Sequence, residues 1–241
     1  MGAEKFIKVL LELGGSSPGI ICEDADIDAV LASIYSARFD NNGQMCDAIK
    51  RLIVHESRVK EAVEKLQKLL ESKKVGDPDD PETDFGPLVA KRQLLKLQEQ
   101  IEDAVNKGAK VVIGGKSLEE ELEGAFYAPT LLTGVTRDMK VWQEEVFGPV
   151  LPVVTFKTDQ EAIELANDTK YGLGAYVFTQ NKKRALKVAG QLEAGMVSIN
   201  NAYYLNPASP FGGYKMSGMG REHGKYGLQD LSQIKVVAIE K

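Results

Sequence analysis

Two thiols stand in unlike surroundings in this 241-residue chain. Cys22 closes the apolar run Ile20-Ile21-Cys22, where a lone cysteine behaves as a small, inert hydrophobe. Cys46 ends the polar stretch Asp40-Asn41-Asn42-Gly43-Gln44-Met45-Cys46, the kind of loop in which a reactive group becomes accessible. An unperturbed thiol is only about 3% thiolate at pH 7. A nucleophilic Cys46 therefore needs a nearby base or donors to its anion. Glu12, flanked by Leu11 and Leu13, admits two readings. It is a carboxylate whose pKa the apolar neighbours raise into the range of a working base, or a buried glutamate paired with a lysine or arginine.

Other chemistry falls away. Neither cysteine belongs to a C-x-x-C pair, and His55 and His223 lie far apart, so no metal site is expected. Gly218-Met219-Gly220-Arg221-Glu222-His223-Gly224 has dinucleotide-like glycine spacing, but Pro210-Phe211-Gly212-Gly213-Tyr214-Lys215 precedes it instead of an apolar strand. Gly114-Gly115-Lys116-Ser117 ends like a Walker loop, with Lys110 where the first glycine belongs. Thirty basic and 35 acidic side chains give a net charge of -5, which argues against a general grip on nucleic acid or anionic membrane. No apolar run is long enough to span a bilayer, and Met1-Gly2-Ala3-Glu4-Lys5 is too polar to begin a signal peptide. A cytoplasmic protein is expected.

The elements that must hold these residues alternate. Phe6 to Leu13 reads as a buried parallel strand, stopped by the turn chemistry of Gly14-Gly15-Ser16-Ser17-Pro18-Gly19. Ile27, Val30, Leu31, Ile34 and Ala37 have helical spacing over residues 27 to 39. Asn41-Asn42-Gly43 then stops the helix with residues that accept positive φ. Strands are expected at 52–55, 111–113, 152–156, 175–178 and 196–199. Helices are marked by Val59, Val63, Leu66 and Leu70, by Leu94, Leu97, Ile101 and Val105, and over 160–166 and 182–192. The pattern predicts an α/β fold with a mostly parallel twisted sheet flanked by helices. A parallel sheet needs neighbours on both sides of a buried strand, so a first strand with almost nothing before it implies an upstream portion. Ile234-Lys235-Val236-Val237-Ala238-Ile239 alternates like a strand with one exposed face, an edge that invites self-association.

Leu11-Glu12-Leu13-Gly14-Gly15, Phe39-Asp40-Asn41-Asn42-Gly43-Gln44-Met45-Cys46 and Glu144-Glu145-Val146-Phe147-Gly148-Pro149 resemble, in order, the signatures of the aldehyde dehydrogenase family. Pro210-Phe211-Gly212-Gly213-Tyr214-Lys215-Met216-Ser217-Gly218 and Gly220-Arg221-Glu222 are similar to its C-terminal signature. Val75-Gly76-Asp77-Pro78, Phe85-Gly86-Pro87-Leu88 and Tyr127-Ala128-Pro129-Thr130-Leu131 match minor ones. The resemblance covers essentially the whole chain, but only the C-terminal half of a family member. It implies a catalytic domain over 1–232, a terminal strand of the bridging or oligomerisation region over 233–241, and no N-terminal cofactor-binding domain.

By the same resemblance, Cys46 is the nucleophile that forms a thiohemiacetal and then a thioester, and Glu12 is the base that activates water. Glu145 contacts the ribose beside the nicotinamide, Phe147 packs beside that ring, and Leu13 and Gly14 belong to the cofactor-binding set. Asn200, Leu205 and Phe211 line the substrate pocket. The cofactor is NAD or NADP, bound mostly by the N-terminal half, which also supplies an asparagine to the oxyanion hole. One such donor is worth about 100–1,000-fold in rate. Two residues depart from the family pattern: Ser16 replaces a common lysine, and Asp47 places a like charge beside the thiol. The implied partners are an aldehyde, a separate N-terminal cofactor-binding chain and further copies of this chain. Two other readings stay open, a cofactor-independent cysteine esterase or thioesterase and a non-catalytic assembly module.

Overall fold

The computed structural model describes residues 2–200, 204 and 206–240. Along the chain it runs α1 (Gly2–Lys5), β1 (Leu11–Glu12), β2 (Ser17–Ile21), α2 (Ile27–Phe39), β3 (Ile49–His55), α3 (Val59–Glu71), α4 (Lys91–Asn106) and β4 (Lys110–Ile113). There follow β5 (Thr130–Thr133), α5 (Lys140–Gln143), β6 (Val150–Phe156), α6 (Asp159–Asn167), β7 (Tyr171–Gly172), β8 (Gly174–Phe178), α7 (Lys182–Ala189), β9 (Met196–Ile199), β10 (Tyr214–Lys215), β11 (Gly218–Met219) and α8 (Gly224–Asp230).

Seven strands form the central sheet, in the order β4-β5-β6-β3-β2-β8-β9. Every pairing is parallel except the edge pair β4–β5. Period-two alternation sends neighbouring side chains to opposite faces. Ile21, Leu52 and Val54 pack with Ile27, Ile34, Phe39, Leu66 and Leu70 of α2 and α3. Ile20, Ile53 and Val177 pack with Ile163, Ala166, Ala185 and Val188 of α6 and α7. Covering both faces is what a parallel sheet requires, since neither face can be left to water. The predicted fold class is the observed one.

Two expectations fail. Phe6 to Leu13 is not a buried parallel strand: Phe6, Ile7 and Val9 are exposed, and only Leu11–Glu12 pair, antiparallel, with Gly218–Met219. The first core strand is instead β2, which begins inside the segment read as turn chemistry and runs into the apolar Ile20-Ile21 expected to follow it as a strand; all five of its residues are buried. Apolar character cannot say what covers a segment, and here no described element packs over Phe6. Likewise, residues 234–239 form no strand; Ile234, Val236, Val237 and Ile239 are exposed. A strand exists only through its hydrogen-bonded neighbour, and no described segment of this chain takes that place.

The glycine-rich turn rejected as a dinucleotide loop is structural. Gly218 sits at φ 136°, and a Cβ there would lie 1.9 Å from the Leu11 carbonyl oxygen, so glycine alone lets β11 reach β1.

Candidate active site

Topology gathers residues that sequence scatters. Glu12 to Gly15 lead into β2, Cys46 leads into β3, and Glu145 to Gly148 lead into β6. Since β6, β3 and β2 are adjacent and parallel, all three segments meet at the amino ends of the strands. Open α/β sheets usually bind ligands at the carboxyl ends; this cluster lies at the opposite edge.

The Cys46 loop is rigidly built. Helix α2 ends at Phe39, and Asn41, Asn42 and Gly43 all take positive φ, 51°, 57° and 67°. These are the residues expected to stop the helix. The Asn42 amide donates to the carbonyls of Gly86 (2.6 Å) and Pro87 (3.1 Å), and Gln44 Oε1 accepts from the Val89 amide (2.9 Å). The Phe85-Gly86-Pro87-Leu88 signature is thus the clamp on the Cys46 loop. Buried Arg38, in the last turn of α2, donates to the Val146 and Gly148 carbonyls and ties the same loop to the Glu145 segment.

Cys46 is half-buried and unpaired, whereas Cys22 lies in the core at 1% exposure. Burial pushes the Cys22 thiol up to about 12, consistent with an inert residue. The Cys46 thiol is also held above its ordinary value, first by burial, then by the Asp47 carboxylate; Lys50 acts against them and Glu12 with them. The like-charge effect expected of Asp47 is present, although desolvation outweighs it. Asp47 is itself buried, and its carboxylate accepts from the Tyr204 hydroxyl at 3.2 Å. Because asparagine keeps that acceptor, Asp47→Asn should raise the rate of Cys46 alkylation by iodoacetamide about threefold or more at pH 7.5. An unchanged or slower rate would mean that the Asp47 charge does not reach the thiol.

Glu12 is fixed by the β1–β11 pairing and is partly buried. Burial raises its pKa first and the Glu222 carboxylate second; Arg221 lowers it, and Asp47 adds to the rise. Glu222 reaches the site through the Phe211–Glu222 backbone bridge, with Glu222 N–H donating to Phe211 O at 2.7 Å. Phe211 accordingly contributes an anchor on this side, its ring 5.9 Å from that of His223.

On the other side Glu145 accepts from the Gly15 amide (3.0 Å) and from Lys50 Nζ (2.8 Å). A Cβ on Gly14 would lie 2.4 Å from a Glu145 carboxylate oxygen, so glycine there lets that side chain lie against the Gly14-Gly15 segment. Glu145 and Phe147 line one shallow depression with Gln93, Lys96, Leu97 and Gln100. A carboxylate on the wall of a depression, with one oxygen tied down by Gly15 and Lys50, suits the paired hydroxyls of a ribose, and the aromatic ring beside it offers a flat apolar wall. The residues present therefore fit the nicotinamide end of a dinucleotide. The Leu13 side chain is half exposed, and its amide donates to the Ser217 carbonyl at 3.1 Å.

Asn200 stands apart from this cluster. Its side-chain amide accepts from Thr179 N (3.0 Å) and donates to Thr179 O (2.6 Å). Both functions are spent on backbone, which makes it a brace at the end of β9. Leu205 lies outside the described residues.

Two residues escaped sequence reasoning. Ser217, fully buried, donates to Gly14 O (2.7 Å) and accepts from Gly172 N (3.0 Å), locking the Gly14-Gly15 segment to the C-terminal signature. Lys50 has a side chain only 1% exposed. A lysine at the head of a strand looks like a solvated residue, and no spacing rule singles it out. Among the described residues there is no group of three metal-binding side chains and no helix long and apolar enough to cross a membrane.

The aldehyde dehydrogenase family model matches residues 1–237. An aldehyde dehydrogenase of Enchytraeus buchholzi is 46% identical over 238 residues, 99% of this chain and 48% of that protein. Retinal dehydrogenase 2 of Homo sapiens is 44% identical over 99% of this chain and 46% of its own length. Among solved structures, the NAD+ complex of an aldehyde dehydrogenase from Bacillus cereus superposes with a TM-score of 0.92 at 43% identity, covering 97% of this chain and 47% of that one. The chain spans about half the length of the curated relatives it matches.

Proposed function

The chain belongs to the aldehyde dehydrogenase family, and from that premise we propose that it carries the catalytic half of an aldehyde-oxidising site, with Cys46 as nucleophile and Glu12 as base. The observation that carries this reading is the convergence of Cys46, Glu12 and Glu145 at the amino ends of three adjacent parallel strands. Each is buttressed by a different signature.

Cys46 Sγ adds to the aldehyde carbon and forms a thiohemiacetal, its proton passing to water or to Glu12. NAD(P)+, when bound, would supply the hydride acceptor that turns the Cys46 adduct into a thioester, its hydroxyl proton passing to water, and Glu145 and Phe147 would hold the cofactor's ribose and ring. Glu12 then takes a proton from water as the water attacks the thioester carbon, releasing carboxylate and freeing the thiol. A raised carboxylate pKa strengthens Glu12 as a base near neutrality. A raised thiol pKa makes acylation climb with pH, about tenfold per unit between pH 7 and 8.

The oxidation depends on the family's N-terminal half, because only one side of the dinucleotide site is built from these residues. Phe6, Ile7, Leu228, Leu231 and the 234–239 segment, all with exposed apolar side chains, are the surface on which that half, or further copies of the chain, would pack. The test is NAD(P)H formation from acetaldehyde by these 241 residues, alone and mixed with an N-terminal half taken from a family member. Absorbance at 340 nm should rise above background only in the mixture. Steady turnover by the chain alone would refute the dependence on the other half. Turnover of neither aldehyde nor ester in any mixture would refute the catalytic reading and leave the assembly module.

A further inference from the structure

Lys50 is the second residue of β3 and the only fully buried lysine among the described residues. A buried ammonium is costly unless its hydrogen bonds and charge are both met. Here its Nζ donates to Met45 O at 2.7 Å, to Cys46 O at 3.2 Å and to Glu145 Oε1 at 2.8 Å, and it stands 5.2 Å from the centre of the Phe147 ring. One cation therefore holds the carbonyl of the nucleophile itself, the carbonyl before it, and the carboxylate on the cofactor side.

Resting on Cys46 being the nucleophile, we propose that Lys50 is a positioning residue that fixes the Cys46 loop against the Glu145 arm and supplies the positive charge the Cys46 thiolate faces. The backbone donors of a loop are only as well aimed as its carbonyls are anchored. With Met45 O and Cys46 O both held by Nζ, the peptide planes on either side of Cys46 are fixed. The same Nζ keeps one oxygen of Glu145 occupied, leaving the other for a ligand hydroxyl.

The electrostatic setting demands such a cation. Asp47 and Glu12 both oppose ionisation of Cys46, and Lys50 is the cation that favours it. Around Lys50 itself, Glu145 and the Cys46 thiolate favour the charged form while burial and buried Arg38 oppose it, bringing the ammonium down to about 8. At pH 7 it is still mostly protonated. Without that charge, the Asp47 backbone N–H alone would favour ionisation of the thiol against the carboxylates.

The experiment is the pH profile of iodoacetamide alkylation at Cys46, read by peptide mass spectrometry from pH 6.5 to 10.5, with Cys22 as the buried internal reference. Lys50→Gln keeps a hydrogen-bond donor, one bond shorter, but removes the charge. It should slow alkylation about tenfold at pH 7.5, where the parent's ammonium is still mostly protonated, and the two profiles should converge above about pH 9, where the parent's Lys50 is itself largely neutral. Lys50→Arg keeps the charge and should stay within about twofold of the parent. The profile separates this role from a structural one, because a loosened loop would expose Cys46 and speed its alkylation. A Lys50→Gln profile superimposed on the parent's, or a Lys50→Arg profile matching Lys50→Gln, overturns the proposal and leaves Cys46 as nucleophile. A parent Cys46 that does not alkylate at all overturns both.

Discussion

Cys46→Ser is expected to eliminate the acylation burst with p-nitrophenyl acetate, lowering its rate by at least about 1,000-fold, while Cys22→Ser stays within about twofold of the parent. The two thiols are separated by environment rather than chemistry. Cys22 is packed among Ile20, Ile53, Ala162 and Val177, where no ester can reach it. Cys46 is half-buried at the mouth of the strand edge. Serine is nearly isosteric with cysteine, so the clamp from Asn42 to Gly86 and Pro87 and the Lys50 contacts to the Cys46 carbonyl survive the change. A hydroxyl, however, is far less ionised than a thiol and gains little from one nearby ammonium. Stopped-flow detection of nitrophenolate measures the effect. An undiminished burst in Cys46→Ser would place the nucleophile elsewhere.

Glu12→Gln is expected to act on the other half of the cycle. The burst amplitude should stay near one per chain, and deacylation should slow by about 100-fold or more, the usual contribution of a positioned general base. Glutamine keeps the side-chain volume on β1, so pairing with Gly218–Met219 is undisturbed. The sign for acylation is opposite to that for deacylation, since Glu12 opposes ionisation of Cys46, and removing its charge should speed acylation slightly. The pH dependence follows from the raised carboxylate pKa. Parent deacylation should fall as pH drops through a midpoint above the ordinary glutamate value, because burial and Glu222 hold the proton on. In Glu12→Gln that step in the profile should vanish. Equal steady-state rates for variant and parent would assign the base to another group.

The Cys46 loop was legible in the sequence for a physical reason. Asn41-Asn42-Gly43 can take positive φ where most residues cannot, so the helix stop before the half-buried thiol is encoded locally. The α/β class was legible from alternating periods, because each core strand and its helix carry their own apolar pattern. What depends on distant partners was not. Phe6 to Val9 and Ile234 to Ile239 carry strand-like apolar residues, yet no described element of this chain pairs with them. The meeting of Glu12, Cys46 and Glu145 comes from the strand order β6-β3-β2, which no local pattern contains. Nor does a sequence show that Lys50 turns inward. Its partners, Glu145 and two main-chain carbonyls, are supplied by the fold. The pairing weighed for Glu12, a buried carboxylate with a lysine, exists in this site but belongs to Glu145.

The central claim, that Cys46 is the acylated residue of a working half-site, is tested most directly by quenching the p-nitrophenyl acetate reaction within the burst and mapping the acyl group by mass spectrometry. The account predicts one acetyl group per chain on the peptide containing Cys46 and none on that containing Cys22. Acetylation spread over surface lysines with Cys46 unmodified would contradict it.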